Sequence, residues 1–503
     1  MTDFVPTRHR NLGDAVDRGA PDAVAVIDRG GADGPRHYTY RAFDALCDAV
    51  ARGLRASGLK GGDRVAILSA NRAEFLAVIL GAMRAGLVAV PINWKLPPDT
   101  VAAILADCDA RLVFCDAARV PLCPAALPRV EFGAEFERML DSGPFAAVTP
   151  DPEAPAMFLY TSGSSGRPKG VVLSQRSHLW VIEMRRRAPE ASRERPLVAA
   201  PLYHMNALAV CQAALAQRDT IILLPGFTAP EYIAAAAEYR ATTLTSVPTM
   251  IAMALRETEA LARHDLSSVR TVRMGSAPVS PGLMAAARRQ FPQAQIGNVY
   301  GTTEAGPIVF TPRPGGIATP DLSVGVPHPG VKLRLAPDDT AEDGVLEMRC
   351  PALMTGYHNL PEATAKALTA DGYYVTGDVF RRDQDGFYYF VGRVDDMFVS
   401  GGENVYPGEV EKMLERHPEI QQAVVVPIED ELKFNKPVAF AVARPGAAPD
   451  EESVKRFALA NAAPYLHPRR VWFLPELPLA GTNKIDRRAL IERAALLMGE
   501  GNA

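Results

Sequence analysis

The sequence predicts an α/β fold: a large N-terminal domain of two α/β layers plus a small β-subdomain, followed by an α+β C-terminal domain. Three observations predict it. Short apolar runs alternate with helix-period stretches as far as Tyr300, the pattern of parallel strands joined by helical crossovers. From Val324 the chain changes to short strands separated by turns, which reads as a small β-subdomain. Beyond the Gly401-Gly402 pair, helix and strand signals mix again in a compact tail of about a hundred residues. The domain boundary therefore falls between Arg393 and Gly402, with residues 1–394 and 395–503 as the two domains.

Each element has a local reason. Thr39 is placed to cap a helix that runs to about Ser57 and closes at Gly58. Residues 63–68 read as a buried strand, 72–85 as a helix stopped by Gly86, and 88–91 as the next strand. Residues 100–107 and 111–115 repeat the alternation, while 117–155, rich in Ala and Pro, predict only loops and short pieces. Strands at 196–200 and 220–224 flank a helix at 207–216. Helices at 229–239, 248–257 and 281–291 alternate with strands at 241–247, 269–274 and 295–300, and proline starts the second of these helices. Strands follow at 330–335, 344–349 and 386–391. The tail predicts helices at 407–416 and 451–461 and strands at 422–427 and 438–443.

Composition narrows the function classes. Hydrophobic residues make up 48% and charged residues 22%, as in soluble globular proteins. A net charge of −4 gives no global field for nucleic acid or an anionic membrane. The most apolar window, 75–91, is broken by Arg84 and glycines and is too short for a membrane span. The N-terminus lacks the apolar core of a signal peptide. The cysteines at 47, 108, 115, 123, 211 and 350 form no Cys-x-x-Cys pair, which suits reduced thiols in a cytoplasmic protein.

The stretch Tyr160-Thr-Ser-Gly-Ser-Ser-Gly-Arg-Pro-Lys-Gly170 sits between apolar runs, as a polar hairpin loop between two strands does. Its glycines free backbone N–H groups, and Thr161, Ser164, Ser165 and Lys169 add donors, so a polyphosphate fits; a plain Gly/Ser surface loop is the other reading. The spacing is not that of a Walker A loop. Four further stretches matter. Asn298-Val-Tyr-Gly-Thr-Thr-Glu-Ala-Gly-Pro307 ends a predicted strand in hydroxyls and a carboxylate, suited to phosphate and magnesium, or to a helix cap. Val375-Thr-Gly-Asp378 sets an acid beside a glycine turn, as a grip on vicinal ribose hydroxyls needs. Gly392-Arg-Val-Asp-Asp-Met-Phe-Val-Ser-Gly-Gly-Glu-Asn-Val-Tyr-Pro407 and Pro478-Leu-Ala-Gly-Thr-Asn-Lys-Ile-Asp-Arg-Arg488 complete the set.

Together, in this order, these stretches make the chain resemble the acyl-adenylate-forming enzymes from about residue 10 to 490. It looks most like AMP-forming acyl-CoA ligases such as 4-chlorobenzoate–CoA ligase and 4-coumarate–CoA ligase. The resemblance implies ATP, CoA, Mg2+ and a small-molecule carboxylic acid as partners, and it allows a homodimer. It implies that Thr161, Ser162, Gly163, Ser164, Ser165, Gly166 and Lys169 hold the β,γ-phosphates, and that Glu304 with Thr161 holds magnesium. By the same resemblance Thr303 contacts the α-phosphate, Asp378 and Arg393 fix the ribose, and Gly275, Ser276, Ala277, Pro278, Tyr300, Gly301 and Thr302 frame the nucleotide. The resemblance also implies that Lys484 bridges the carboxylate and α-phosphate, and that the C-terminal domain is mobile and rotates about Asp395, bringing Ser400, Gly401 and Gly402 to CoA.

Lys95, Phe434 and Arg469 are the residues carried over to the nucleotide end of CoA, although the region usually built as an aromatic-Lys-x-Pro-Lys run reads Tyr465-Leu-His-Pro-Arg469 here. The acyl pocket is expected to include Met184, His204, Ala207, Thr245, Gly301, Gly306 and Pro307. His204 is either a pocket-wall or gating histidine with a catalytic part, or a satisfied core residue. Asn206 either bonds the acid or caps the following helix. No Asp lies between Pro201 and Gln217, so a neutral-tailed aryl or short-to-medium acid is expected rather than an amino acid. A ligase that loads a carrier protein and a non-catalytic nucleotide-binding homologue are the alternatives.

Overall fold

The computed structural model describes residues 4, 6, 8–31, 34–162, 168–188, 191–337, 342–400, 403–430, 434–480 and 484–500. Two seven-stranded, largely parallel sheets organise the N-terminal part. The first runs Gln295–Val299, Thr271–Gly275, Thr243–Ser246, Pro196–Val198, Ile221–Leu223, Val24–Asp28 and Arg36–Thr39 in space. The second runs Gly356–Tyr357, Pro168–Ser174, Pro155–Ser162, Val88–Pro91, Arg64–Leu68, Ala110–Cys115 and Arg129–Glu131. Strand alternation feeds a separate core on each face. Val26 and Ile67 join a central core with helices Tyr40–Ala56, Ala73–Arg84, Gln175–Met184 and Met205–Leu215, while Ile27 and Ala66 face the outer cores. Thr39 does cap the first of these helices, its hydroxyl accepting from the Ala42 N–H. Arg84 is fully buried there, bonded to the Gly13 and Asp44 carbonyls and to the Asp44 and Asp48 carboxylates.

A six-stranded antiparallel sheet forms the β-subdomain, in the order Phe310–Thr311, Ser323–Pro327, Tyr388–Arg393, Tyr374–Arg382, Asp343–Arg349, Lys332–Ala336. The tail has its own sheet, built on the long hairpin Ile420–Asp430 and Phe434–Ala443. Helices Pro407–Leu414 and Glu451–Asn461 contribute to one core against it and Arg487–Glu500 to another. The tail meets the rest of the chain where Lys412 Nζ donates to the Phe390 carbonyl at 2.7 Å. Among the described residues no helix is long and apolar enough to cross a membrane.

Four features differ from the sequence expectation. Val24–Asp28 and Arg36–Thr39 are strands, the former parallel to a partner almost two hundred residues later (Val26 beside Ile221), a pairing with no local signature. A helix, Gln175–Met184, follows the hairpin directly. Thr376-Gly377-Asp378 is not a terminal turn but a bulge inside a strand: Val345 pairs with Val379 whereas Glu347 pairs with Val375, and Gly377 takes φ +70°. The last described residues also form a helix, Arg487–Glu500.

Candidate active site

Parallel strands present their C-terminal ends together, and that is where the site forms. A cavity of about 2070 Å³ opens there, walled by the first sheet, the antiparallel sheet and the tail. Two strand ends shape it. Thr271–Gly275 runs into Ser276-Ala277-Pro278, and Gln295–Val299 runs into Tyr300-Gly-Thr-Thr-Glu304, all of them lining residues. The packing admits no side chain at Gly301, where an added Cβ would sit 2.6 Å from the Pro307 Cα. Ser276 takes φ +67°, a left-handed conformation that costs an L residue about 1 kcal/mol or more. Thr302 closes its turn by accepting the Ala305 N–H at 3.0 Å; Thr303 and Pro307 complete this wall.

The hairpin supplies a second wall. Thr161 pairs with Lys169 across it, and both line the cavity. The hydroxyl of Tyr160 donates to Asp107 Oδ2 at 2.5 Å. Lys169 Nζ lies 5.1 Å from the centre of the Tyr357 ring, and the Tyr357 hydroxyl donates to Glu304 Oε1 at 3.0 Å. Burial pushes the Glu304 carboxyl above its ordinary range, although Tyr357 and Tyr374 donate to it. Gly163, Ser164, Ser165 and Gly166 lie outside the described residues, as does the side chain of Ser162.

The bulge aims the third group. Asp378 stands opposite Arg393 in the strand register, and its Oδ1 accepts from the Arg393 guanidinium at 2.8 Å. Its Oδ2 accepts from the Tyr300 hydroxyl. Burial raises the Asp378 carboxyl despite these donors. Arg393 also lies 3.6 Å from Asp395. Lys484 comes into the same cavity from the tail. Its side chain meets cavity solvent but is walled in by protein, so burial and then Arg393 hold its ammonium below the usual lysine value, with Asp378 pulling the other way.

His204 precedes the helix Met205–Leu215 and lines the cavity. Its Nε2 is buried without a hydrogen-bond partner among the described residues, so it is not a satisfied core histidine. Burial, then Lys484 and Lys95, lower it to about 4. Thr245 Oγ1 is likewise buried and unpartnered in the wall. Asn206 does not cap the helix: it is the second helical residue, and His204 holds the N-cap position.

Other expected residues do not reach the cavity. Ala207 is buried in the central core and Met184 packs against it. Gly306 turns the chain at φ +84°, with an added Cβ meeting Ala352 at 2.7 Å. Lys95 is exposed with its ammonium 5.5 Å from the Trp94 ring centre. Arg469 donates to His467 at 2.9 Å on the tail, and Ser400 is buried in the tail sheet. Gly401, Gly402 and the side chain of Phe434 lie outside the described residues. Among the cavity residues that escape the sequence reading are Tyr357 and Tyr374, which donate to Glu304, and two arginines, Arg185 and Arg273. Arg185 hides in the basic run Arg185-Arg-Arg187, which reads as a solvated face. Arg273 was findable, since Val272 and Met274 fill the outer core and period-two alternation turns residue 273 the other way.

Comparison with known proteins agrees with this geometry. The model of AMP-binding enzymes matches residues 14–358, and that of the AMP-binding enzyme C-terminal domain matches 409–484. Feruloyl-CoA synthase of an Amycolatopsis species is 34% identical, the match covering 93% of this chain and 95% of that protein. Fatty acid–[acyl-carrier-protein] ligase ScoC of Streptomyces coeruleorubidus is 32% identical, with 94% of each covered. Among solved structures, the anthranilate CoA ligase AuaEII in complex with anthranoyl-AMP superposes with a TM-score of 0.88 at 26% identity, covering 99% of this chain and 100% of that one. ATP-bound MatB from Rhodopseudomonas palustris superposes at 0.86 and 26% identity, covering 97% and 99%. The chain therefore belongs to the AMP-binding enzymes, the acyl-adenylate-forming family that its motifs resemble.

Proposed function

We propose that the protein is an AMP-forming acyl-CoA ligase acting in two half-reactions. A carboxylate oxygen of the acid attacks the α-phosphorus of ATP, the bond to the β-phosphate oxygen breaks, and pyrophosphate leaves. The CoA sulfur then attacks the acyl carbon, the acyl–oxygen bond breaks, and AMP departs. One observation carries the proposal: Lys484 from the tail shares a cavity with Asp378, Arg393, Glu304, Thr161 and Lys169. Attack of one anion on another needs neutralising charge and fixed positions more than covalent help.

In this reading Lys484 meets the reacting carboxylate and the α-phosphate, beside Thr303. Thr161 to Lys169, including Ser162, Gly163, Ser164, Ser165 and Gly166, surrounds the leaving phosphates. Asp378, pre-aimed by Tyr300 and Arg393, accepts from the ribose hydroxyls. Gly275 to Pro278 and Tyr300 to Thr302 frame the adenine. His204 and Thr245, with unspent polar atoms, face the acid. Glu304 and Thr161 suit magnesium, because one carboxylate and one hydroxyl match an ion that fills its shell with phosphate and water. Bound there, the ion would offset phosphate charge. Residues 395–503 then rotate about Asp395, and Ser400, Gly401 and Gly402 with Lys95, Phe434 and Arg469 face CoA. Reduced, mostly buried cysteines fit a cytoplasmic setting.

The test is a panel of carboxylic acids with ATP and CoA, following pyrophosphate release and identifying thioesters by mass. CoA-dependent thioesters are expected. The 32% identity to a carrier-protein ligase supports a second reading, and acyl transfer to a pantetheinyl carrier with none to CoA would establish it. No pyrophosphate release with any acid would overturn both.

A further inference from the structure

We infer that the acid activated here carries a second anionic group at the end remote from the reacting carboxylate, held by Arg185 and Arg273. This rests on the acyl-activating reading of the same cavity and replaces the neutral tail expected from sequence. Arg273 lies on Thr271–Gly275 beside Thr245 on one neighbouring strand and Gly297 on the other, and all three line the cavity. Registered residues on parallel strands point to the same face. Gly297 leaves open space next to the guanidinium, because a Cβ built there would meet nothing closer than 3.9 Å. Arg273 sits two residues before Gly275, about 7 Å below the strand end where the nucleotide is proposed to bind. A short acid spans that depth.

Arg185 comes to the same place from the end of helix Gln175–Met184. The two guanidiniums repel each other, and neither forms an ion pair with an acidic side chain among the described residues. Burial, then Arg273, bring Arg185 down to about 10. A helix C-terminus favours one cation through its dipole, but it does not account for a second one across the cavity on a different sheet strand. Arg185 is half-buried and Arg273 open to solvent in the same cavity, and two like charges side by side there favour a ligand that brings the opposite charge. Thr245 Oγ1, buried and unpartnered beside them, offers a neutral donor for the same group. A carboxylate or sulfonate satisfies all three, a carboxylate fitting an arginine fork by two parallel hydrogen bonds.

The experiment compares short α,ω-dicarboxylic acids with monocarboxylic acids of equal length, and with ω-sulfo acids, by kcat/KM for pyrophosphate release. The expected result is a preference of about a hundredfold or more for either dianion, since a site built for a polar group rejects the analogue that lacks it. Arg185→Gln and Arg273→Gln should each lower that preference ratio at least about tenfold, chiefly through KM. Thermal melts with and without ATP check that each variant is folded and still binds nucleotide. Wild-type enzyme that releases pyrophosphate equally well with the monoacids, or a ratio unmoved in both folded variants, overturns this inference and leaves adenylation standing. No release with any series overturns the two together.

Discussion

Replacing Lys484 by alanine should separate the two proposed half-reactions. Arg393 is already engaged by Asp378 at 2.8 Å, and the proposal gives Lys484 the role of the tail cation that meets the reacting carboxylate. A well-placed transition-state charge is worth about 3–4 kcal/mol, which lowers acyl-AMP formation by roughly a hundred- to a thousandfold. Single-turnover pyrophosphate release measures that step; thioester formation from supplied acyl-AMP and CoA measures the other, which should stay within about twofold. The wild-type pH profile adds a check. Burial and Arg393 lower the Lys484 ammonium, so adenylation should fade on the alkaline side before an ordinary lysine would deprotonate, and Lys484→Arg should push that limb upward. Equal loss of both steps in Lys484→Ala would refute the assignment.

Other perturbations probe the frame around this lysine. Asp395→Pro should preserve pyrophosphate release and abolish thioester formation; a normal overall rate would remove the hinge. Tyr300→Phe removes a donor to Asp378 and should raise the KM for ATP about tenfold, one charged hydrogen bond being worth about 1.5–3 kcal/mol, as initial rates will show. Gly301→Ala sets a Cβ 2.6 Å from backbone and should cost about 1–3 kcal/mol in urea denaturation. Arg84→Met takes the Arg84 partner from half-buried Asp48 and leaves Asp44 with Arg18 alone, and should cost about 1–3 kcal/mol by the same measurement. Against the pull of burial, Arg18 and Arg84 hold Asp44 below its ordinary 3.8. Its contribution is therefore complete above that value and disappears as pH falls through the lower folded one, which acid-titrated melts will record.

Legibility followed locality. Thr39 capping a helix to Ala56 and proline at the start of Pro248–Arg256 are decided by neighbouring residues, and both were readable. The strand Val24–Asp28 exists because Ile221–Leu223 lies beside it, a fact that no window of sequence holds. At Asp378 the sequence showed the residue types but not the bulge that turns the carboxylate toward Tyr300 and Arg393. The sequence leaves two readings open for His204, and its Nε2, unpartnered among the described residues, weighs against the satisfied one. Arg185 and Arg273 carry no motif; their meaning comes only from facing each other across one cavity.

The bond from Lys412 to the Phe390 carbonyl has a kinetic consequence. If the tail rotates about Asp395 as proposed, that motion would break it, and a hydrogen bond from a charged donor, worth about 1.5–3 kcal/mol, would favour the pose seen here roughly ten- to a hundredfold. On that reading the enzyme without substrates would hold Lys484 in the cavity, set for ATP and acid. CoA would then find its face only after that latch opens, which would make it the last substrate to bind.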